Sequence, residues 1–119
     1  MDWSGIEKRR FVRVKFPCKI IVYAPEKHVI VSHTENISTG GVRVIIDDKL
    51  EISSLVGLEI YLGDRPVICK GRVVWVVEIV SPVLKTPGMN DTGIEFYEIK
   101  EKDKKSINRL IKAIVSGDK

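Results

Sequence analysis

Phe16-Pro17-Cys18-Lys19-Ile20-Ile21-Val22-Tyr23 alternates between two sets of side chains, Phe16, Cys18, Ile20 and Val22 against Pro17, Lys19, Ile21 and Tyr23, and stops at Ala24-Pro25-Glu26-Lys27. A period of two is that of a strand with one face buried. Pro25 beside charged residues is turn chemistry, so the run predicts a hairpin into a second strand over His28–Thr34. The same pattern recurs along the chain. Gly40-Gly41 opens a third strand, with Val42, Val44 and Ile46 on one face and Arg43 and Ile45 on the other. Leu58, Ile60 and Leu62 alternate with Glu59 and Tyr61, and Gly63-Asp64-Arg65-Pro66 turns the chain into a long run from Val67 to Val80. Undisturbed alternation places Val73, Trp75, Val77 and Ile79 on one face of that run, with Trp75 in the core. Ser81–Asp91, with Pro82, Pro87, Gly88 and Asn90, reads as a loop before a last strand around Gly93–Ile99.

Short Val- and Ile-rich strands without helical crossovers define an all-β chain. About six of them fit a six-stranded antiparallel β-barrel, which hides its edges. The tail changes period: Ile107, Leu110, Ile111, Ile114 and Val115 fall at helical spacing, Glu101 and Asp103 sit where a helix N-terminus favours acids, and Gly117 follows. A C-terminal α-helix at about 101–116 is expected, its apolar stripe covering the open end of the barrel.

The charge is unevenly spread. Lys8, Arg9, Arg10, Arg13 and Lys15 stand against Glu7 alone, while the whole chain of 119 residues carries a net +4 from 20 Lys+Arg and 16 Asp+Glu. The body is therefore neutral, and the excess lies in a basic N-terminal arm over residues 1–15, expected to be flexible, ahead of a single barrel domain over 16–119. A local arginine cluster suits a compact anionic ligand or one docking point. A nucleic-acid groove needs basic charge tracking over the surface with aromatics for stacking, and aromatics here are 7%, which argues against a small nucleic-acid-binding barrel. No apolar run has the length of a membrane span or a signal peptide, so no membrane insertion and a cytoplasmic location are expected. Cys18 and Cys69 sit alone in apolar runs and read as small buried hydrophobes, and His28 and His33, five apart, fall on opposite faces of a regular strand, so no metal site is expected. Trp3 could cover a ligand or pack on the barrel. No nucleophile has a base beside it, carboxylates do not cluster, and no Gly-rich loop enters a helix, so the chain does not read as an enzyme and needs no cofactor.

Two motifs remain. The arm contains Arg9-Arg10-Phe11-Val12-Arg13, of the form R-R-x-x-R, and Asn36-Ile37-Ser38-Thr39-Gly40-Gly41 has the form [D/N]-x-S-x-x-G. In this order and spacing, and with Gly71-Arg72-Val73-Val74-Trp75 and Gly93-Ile94-Glu95-Phe96 behind them, they resemble the PilZ domain family over nearly the whole chain. That resemblance implies a split-barrel-like fold of six antiparallel strands with a helix at one end. It also implies a receptor for the bacterial second messenger cyclic di-GMP that signals to a downstream protein partner.

The implied chemistry is coherent. Cyclic di-GMP carries two phosphates and two guanines, and each guanine offers O6 and N7 to a planar guanidinium fork that also fits phosphate oxygens. By resemblance, Arg9 and Arg13 contact guanine and phosphate, and Arg10 makes a direct or supporting contact. Asn36 can donate and accept at a guanine edge, and Ser38 can donate to a neighbouring acceptor or tie the turn to itself. Gly40 and Gly41 are expected to allow positive φ and leave no Cβ between the strand and a flat base. Asn36 stands where the commonest family form has Asp, and this departure keeps open an alternative, a degenerate member that binds protein and no nucleotide.

Overall fold

Six strands follow one another in the computed structural model, which describes residues 13–63, 65–80 and 88–116. They are β1 (Lys19–Ala24), β2 (His28–Ile37), β3 (Gly41–Ile46), β4 (Leu55–Tyr61), β5 (Pro66–Ile79) and β6 (Met89–Glu98), and a helix, α1 (Glu101–Ser116), comes after them. All pairs are antiparallel, and the order β1-β2-β3-β6-β5-β4 closes into a barrel through β1 and β4. The fold is the six-stranded barrel with a C-terminal helix that the alternation implied.

The inward faces explain why these segments are strands. Ile20 and Val22, then Val42, Val44 and Ile46, then Val56, Leu58 and Ile60 all alternate into one buried core. Ile107 and Ile111 of α1 join that same core, with Ile99 and Ile114 packed beside them. Each such isoleucine contributes about 1.5–3 kcal/mol by leaving water, which is what holds a helix of this length on the barrel. Among the described residues the buried polar side-chain atoms are satisfied. Thr34 Oγ1 donates to Phe16 O at 2.6 Å and accepts from Cys18 N at 3.1 Å. Asn90 Nδ2 donates to Asp48 O at 3.1 Å. Cys18 and Cys69 are buried and free, and burial pushes the Cys69 thiol up to about 12.

Several boundaries move. β2 runs on to Ile37, and β4 begins at Leu55. Met89, Asn90 and Asp91, expected in a loop, instead belong to β6, paired with Ile79, Glu78 and Val77. The ladder there holds a polar stretch in the strand because backbone pairing does not depend on side-chain type, and buried Asn90 finds its own acceptor. Residues 1–12 of the expected arm lie outside the described residues. Val14, within its expected bounds, is buried and exchanges two backbone bonds of 3.0 Å with Ile37.

The largest correction concerns Trp75. Between Val73 and Trp75 the β5–β6 register shifts, Val73 pairing with Ile94 and Trp75 with Gly93. The extra residue, Val74, is a β-bulge, and a one-residue insertion sends every later side chain to the opposite face. Val73 is fully buried, whereas Val77 and Ile79 are exposed and Trp75 is half-buried on the outer wall. β2 carries a similar shift between Thr34 and Asn36, so that Thr34 and Ile37 both point inward and Glu35 and Asn36 both point out.

Candidate functional site

The two bulges aim Asn36 and Trp75 at the same outer wall. Across it, Asn36 pairs with Arg43, Arg43 with Gly93, and Gly93 with Trp75, a row spanning β2, β3, β6 and β5. The Val14–Ile37 bridge brings Arg13 to this row. Arg13 Nη1 donates to Asn36 Oδ1 at 3.4 Å, and the Arg13 guanidinium lies 5.6 Å from the centre of the Trp75 ring, within cation–π range. Residues from the two sequence motifs, 23 positions apart, thus meet. Arg9 and Arg10 lie outside the described residues.

Ser38 ties the β2–β3 turn to itself, one of the roles open to it, its Oγ donating to Gly41 O at 3.4 Å. It is buried, and its Oγ accepts from Gly40 N at 3.0 Å and Gly41 N at 3.2 Å. The expectation of positive φ at Gly40 and Gly41 is corrected, since no described glycine has one. Gly41 is needed for close packing: a Cβ there would overlap the carbonyl oxygen of Ile94 and stand 2.9 Å from Glu95 Cα. The missing side chain makes room for β6. Gly40 O accepts from Phe96 N at 2.8 Å, so the motif's turn is bonded to β6 as well.

Alternation alone missed part of the wall. The indole of Trp75 lies over Gly93, where a Cβ would overlap the ring, an aromatic covering a cross-strand glycine. Arg43 grips Asp91 with both arms of its fork, Nε to Oδ1 at 2.8 Å and Nη2 to Oδ2 at 2.9 Å. That fork, with a smaller contribution from the Trp75 indole N–H, holds the Asp91 carboxyl below its ordinary value against the upward push of burial, and Asp91 raises Arg43 in return. Arg72, further along, stacks 4.7 Å from the Tyr97 ring and lies 3.8 Å from Glu95. The signal for Trp75 was its register opposite a glycine, legible once the bulge is known. Among the described residues no group of three or more His, Cys, Asp or Glu could hold a metal ion, and no helix of theirs is long and apolar enough to cross a membrane.

The structure is thus a closed six-stranded barrel with a C-terminal helix, and Arg13, Asn36 and Trp75 meet on its outer wall. The chain belongs to the PilZ domain family, which matches residues 7–113. Its fold is similar to that of the Bacillus subtilis inhibitor of motility MotI/DgrA, with a TM-score of 0.75 and 20% identity over 94% of this chain and 53% of that one. It is also similar to the PilZ domain with c-di-GMP of YcgR from Escherichia coli, at TM-score 0.73 and 12% identity over 92% of this chain and 93% of that one. The K. pneumonia MrkH–c-di-GMP complex gives 0.70 and 14% over 90% of this chain and 52% of that one. The chain thus spans about half the length of the MotI/DgrA and MrkH chains. No curated protein matches the sequence closely enough to count as a relative.

Proposed function

We propose that this chain is a cyclic di-GMP receptor in which Arg9, Arg10 and Arg13 close over a nucleotide seated against Asn36 and the Ser38–Gly41 turn. Ordering of the arm is the signal to a downstream protein, and no catalytic step is involved. The observation that carries the reading is the meeting of Arg13 with Asn36 and Trp75 on one wall. An arginine fork, an amide and an indole face are the complement of a guanylate: fork to phosphate or to O6 and N7, amide to the base edge, ring to the purine. The similar YcgR and MrkH structures named above are of those proteins with c-di-GMP, which supports the same ligand class here. Calorimetry with cyclic di-GMP should show micromolar or tighter binding, about −8 kcal/mol, with GMP and GTP far weaker. Absence of heat at high ligand concentration would overturn the receptor reading.

A second reading, a partner-binding module that takes no nucleotide, draws on the opposite wall. There Tyr23, Val29, Val31 and Ile68 are 41%, 52%, 62% and 61% exposed, beside a depression of about 550 Å³ lined by Tyr23, Gly57, Ile68 and Ile99 among others. Exposed apolar patches of this kind mark protein contacts, and the resemblance to an inhibitor of motility is compatible with such a role. The same titration separates the two readings.

A further inference from the structure

Arg43 and Trp75 flank Gly93 from either side on the outer wall. Two strand spacings separate their backbones, roughly 10 Å, a gap that two long side chains can span. Arg43 does not lean into it. Both arms of its fork are turned along the wall to Asp91, at 2.8 and 2.9 Å, where the side chains are 35% and 21% exposed. Partial shielding makes a bidentate guanidinium–carboxylate bond stronger than an open surface pair. The other residue across from Arg43 is Asn36, which offers no charge, and Glu35 beside it is exposed in the bulge. Asp91 is therefore the carboxylate that grips the Arg43 guanidinium, the Glu35 charge acting on it only at longer range, and the Trp75 indole N–H also faces the Asp91 carboxylate.

We propose that Asp91 is a positioning residue of the nucleotide site: by holding the Arg43 fork along the wall, it keeps the Trp75 indole flat on Gly93 and clear of a second cation, as the stacking floor for a purine. The proposal rests on the nucleotide reading of this wall, but its structural half, the placement of the indole, exists without ligand. Arg13 already sits over the ring at 5.6 Å and, being exposed, can lift to let a base between them. A released Arg43 would find the same ring as a cation–π partner. It would then compete with the base and repel Arg13.

The test uses the full chain with Trp3→Phe, which leaves Trp75 as the one indole, since the sequence has two. Asp91→Asn, which keeps an acceptor for the Trp75 indole N–H while releasing Arg43, is compared with the double variant Asp91→Asn/Arg43→Gln, in which the released guanidinium is gone. Asp91→Asn should change the emission and iodide quenching of Trp75 without nucleotide, and weaken cyclic di-GMP about tenfold, the scale of one charge-assisted contact. The double variant should return both properties close to those of the parent. An unaltered indole in Asp91→Asn overturns the proposal, as does an affinity loss that removal of Arg43 fails to repair. If the parent itself binds no cyclic di-GMP, the nucleotide reading falls, and the quenching series alone still decides whether Asp91 sets the indole through Arg43.

Discussion

The two walls of this barrel are built by different rules. Where β1 meets β2 and β4, and where β4 meets β5, the register runs without a break, and outward residues alternate strictly with core residues. The register shifts fall in the β2–β3 and β5–β6 pairs, which flank the wall carrying Arg13, Asn36, Arg43 and Trp75. A regular ladder gives a uniform alternation, here with Tyr23, Val29, Val31 and Ile68 exposed among outward Lys19, Glu59 and Lys70. A bulge puts two successive residues outward, Glu35–Asn36 on β2 and Val74–Trp75 on β5, and in each case the second lies in the row that Arg13 reaches. Asn36 and Trp75 of the candidate site reach the outer wall where the alternation is broken.

The contrast breaks first at its glycines. Gly41 on the site wall has no room for a side chain against the β6 backbone, whereas a Cβ at Gly57 on the opposite wall would stand 3.4 Å from Tyr23 Cβ, ordinary contact. Gly41→Ala should therefore cost on the order of 3 kcal/mol in urea denaturation, because backbone cannot step aside as a side-chain tip can. Gly57→Ala should stay within about 0.5 kcal/mol of the parent. Equal effects would mean that the close approach of β3 and β6 is not what Gly41 provides.

Next comes Arg13. It is exposed and its hydrogen bond to Asn36 is long at 3.4 Å, so the fold gains little from it. Arg13→Ala should weaken cyclic di-GMP by about thirtyfold, or ~2 kcal/mol, with the denaturation midpoint unmoved. Arg13→Lys should recover little, since an ammonium has no fork. Near-complete recovery by lysine would reduce the contact to a point charge.

The Arg43–Asp91 pair contributes to folding as well as to the site, and its pH dependence has a definite sign. The folded-state carboxyl titrates below its unfolded value, chiefly because of the Arg43 fork, so the stabilisation is complete above about pH 5 and fades as pH falls below about 4. With both side chains partly exposed, the pair should be worth about 1 kcal/mol. Asp91→Asn should be less stable than the parent by that amount at neutral pH, and the gap should close as the solution is acidified. A gap that persists at low pH would assign the loss to packing instead of charge.

What could be read in the sequence follows the same division. Ile20, Val22, Val42, Val44 and Ile46 declared their burial by plain alternation, and the helix stripe of Ile107 and Ile111 by its period. The two motifs stand far apart in the chain, and of their residues Arg13 and Asn36 lie within hydrogen-bond distance. Trp75 was misplaced because Val73 and Val74 are identical in type: nothing in residue chemistry tells which valine is the inserted one, and the choice is made by pairing with β6. Asp91 was hidden because Asn90-Asp91 reads as turn composition, while the strand there is held by backbone bonds that any residue can make. Ser38 was legible as a turn residue, but its burial beneath Gly40 and Gly41 depends on the close approach of β6.

The smallest effect expected lies at the hairpin that joins the regular wall to β2. The chain turns from β1 to β2 through Pro25–Lys27, and Glu26 and Lys27 take φ values of 65° and 63°. Left-handed backbone costs an L-residue roughly 1–2 kcal/mol through its Cβ. Glycine escapes that cost but gives up about 0.5–1 kcal/mol through the greater freedom of the unfolded chain. The difference favours glycine by about 0.5 kcal/mol, so Lys27→Gly should raise the urea midpoint slightly, whereas Lys27→Ala, which keeps the Cβ, should leave it where it is. Neither change should touch nucleotide affinity, because the hairpin stands apart from the Asn36–Trp75 row. A loss of stability in Lys27→Gly would show that the side chain, and not the backbone, holds this turn, and the opposite wall would then be less of a plain scaffold than its unbroken register implies.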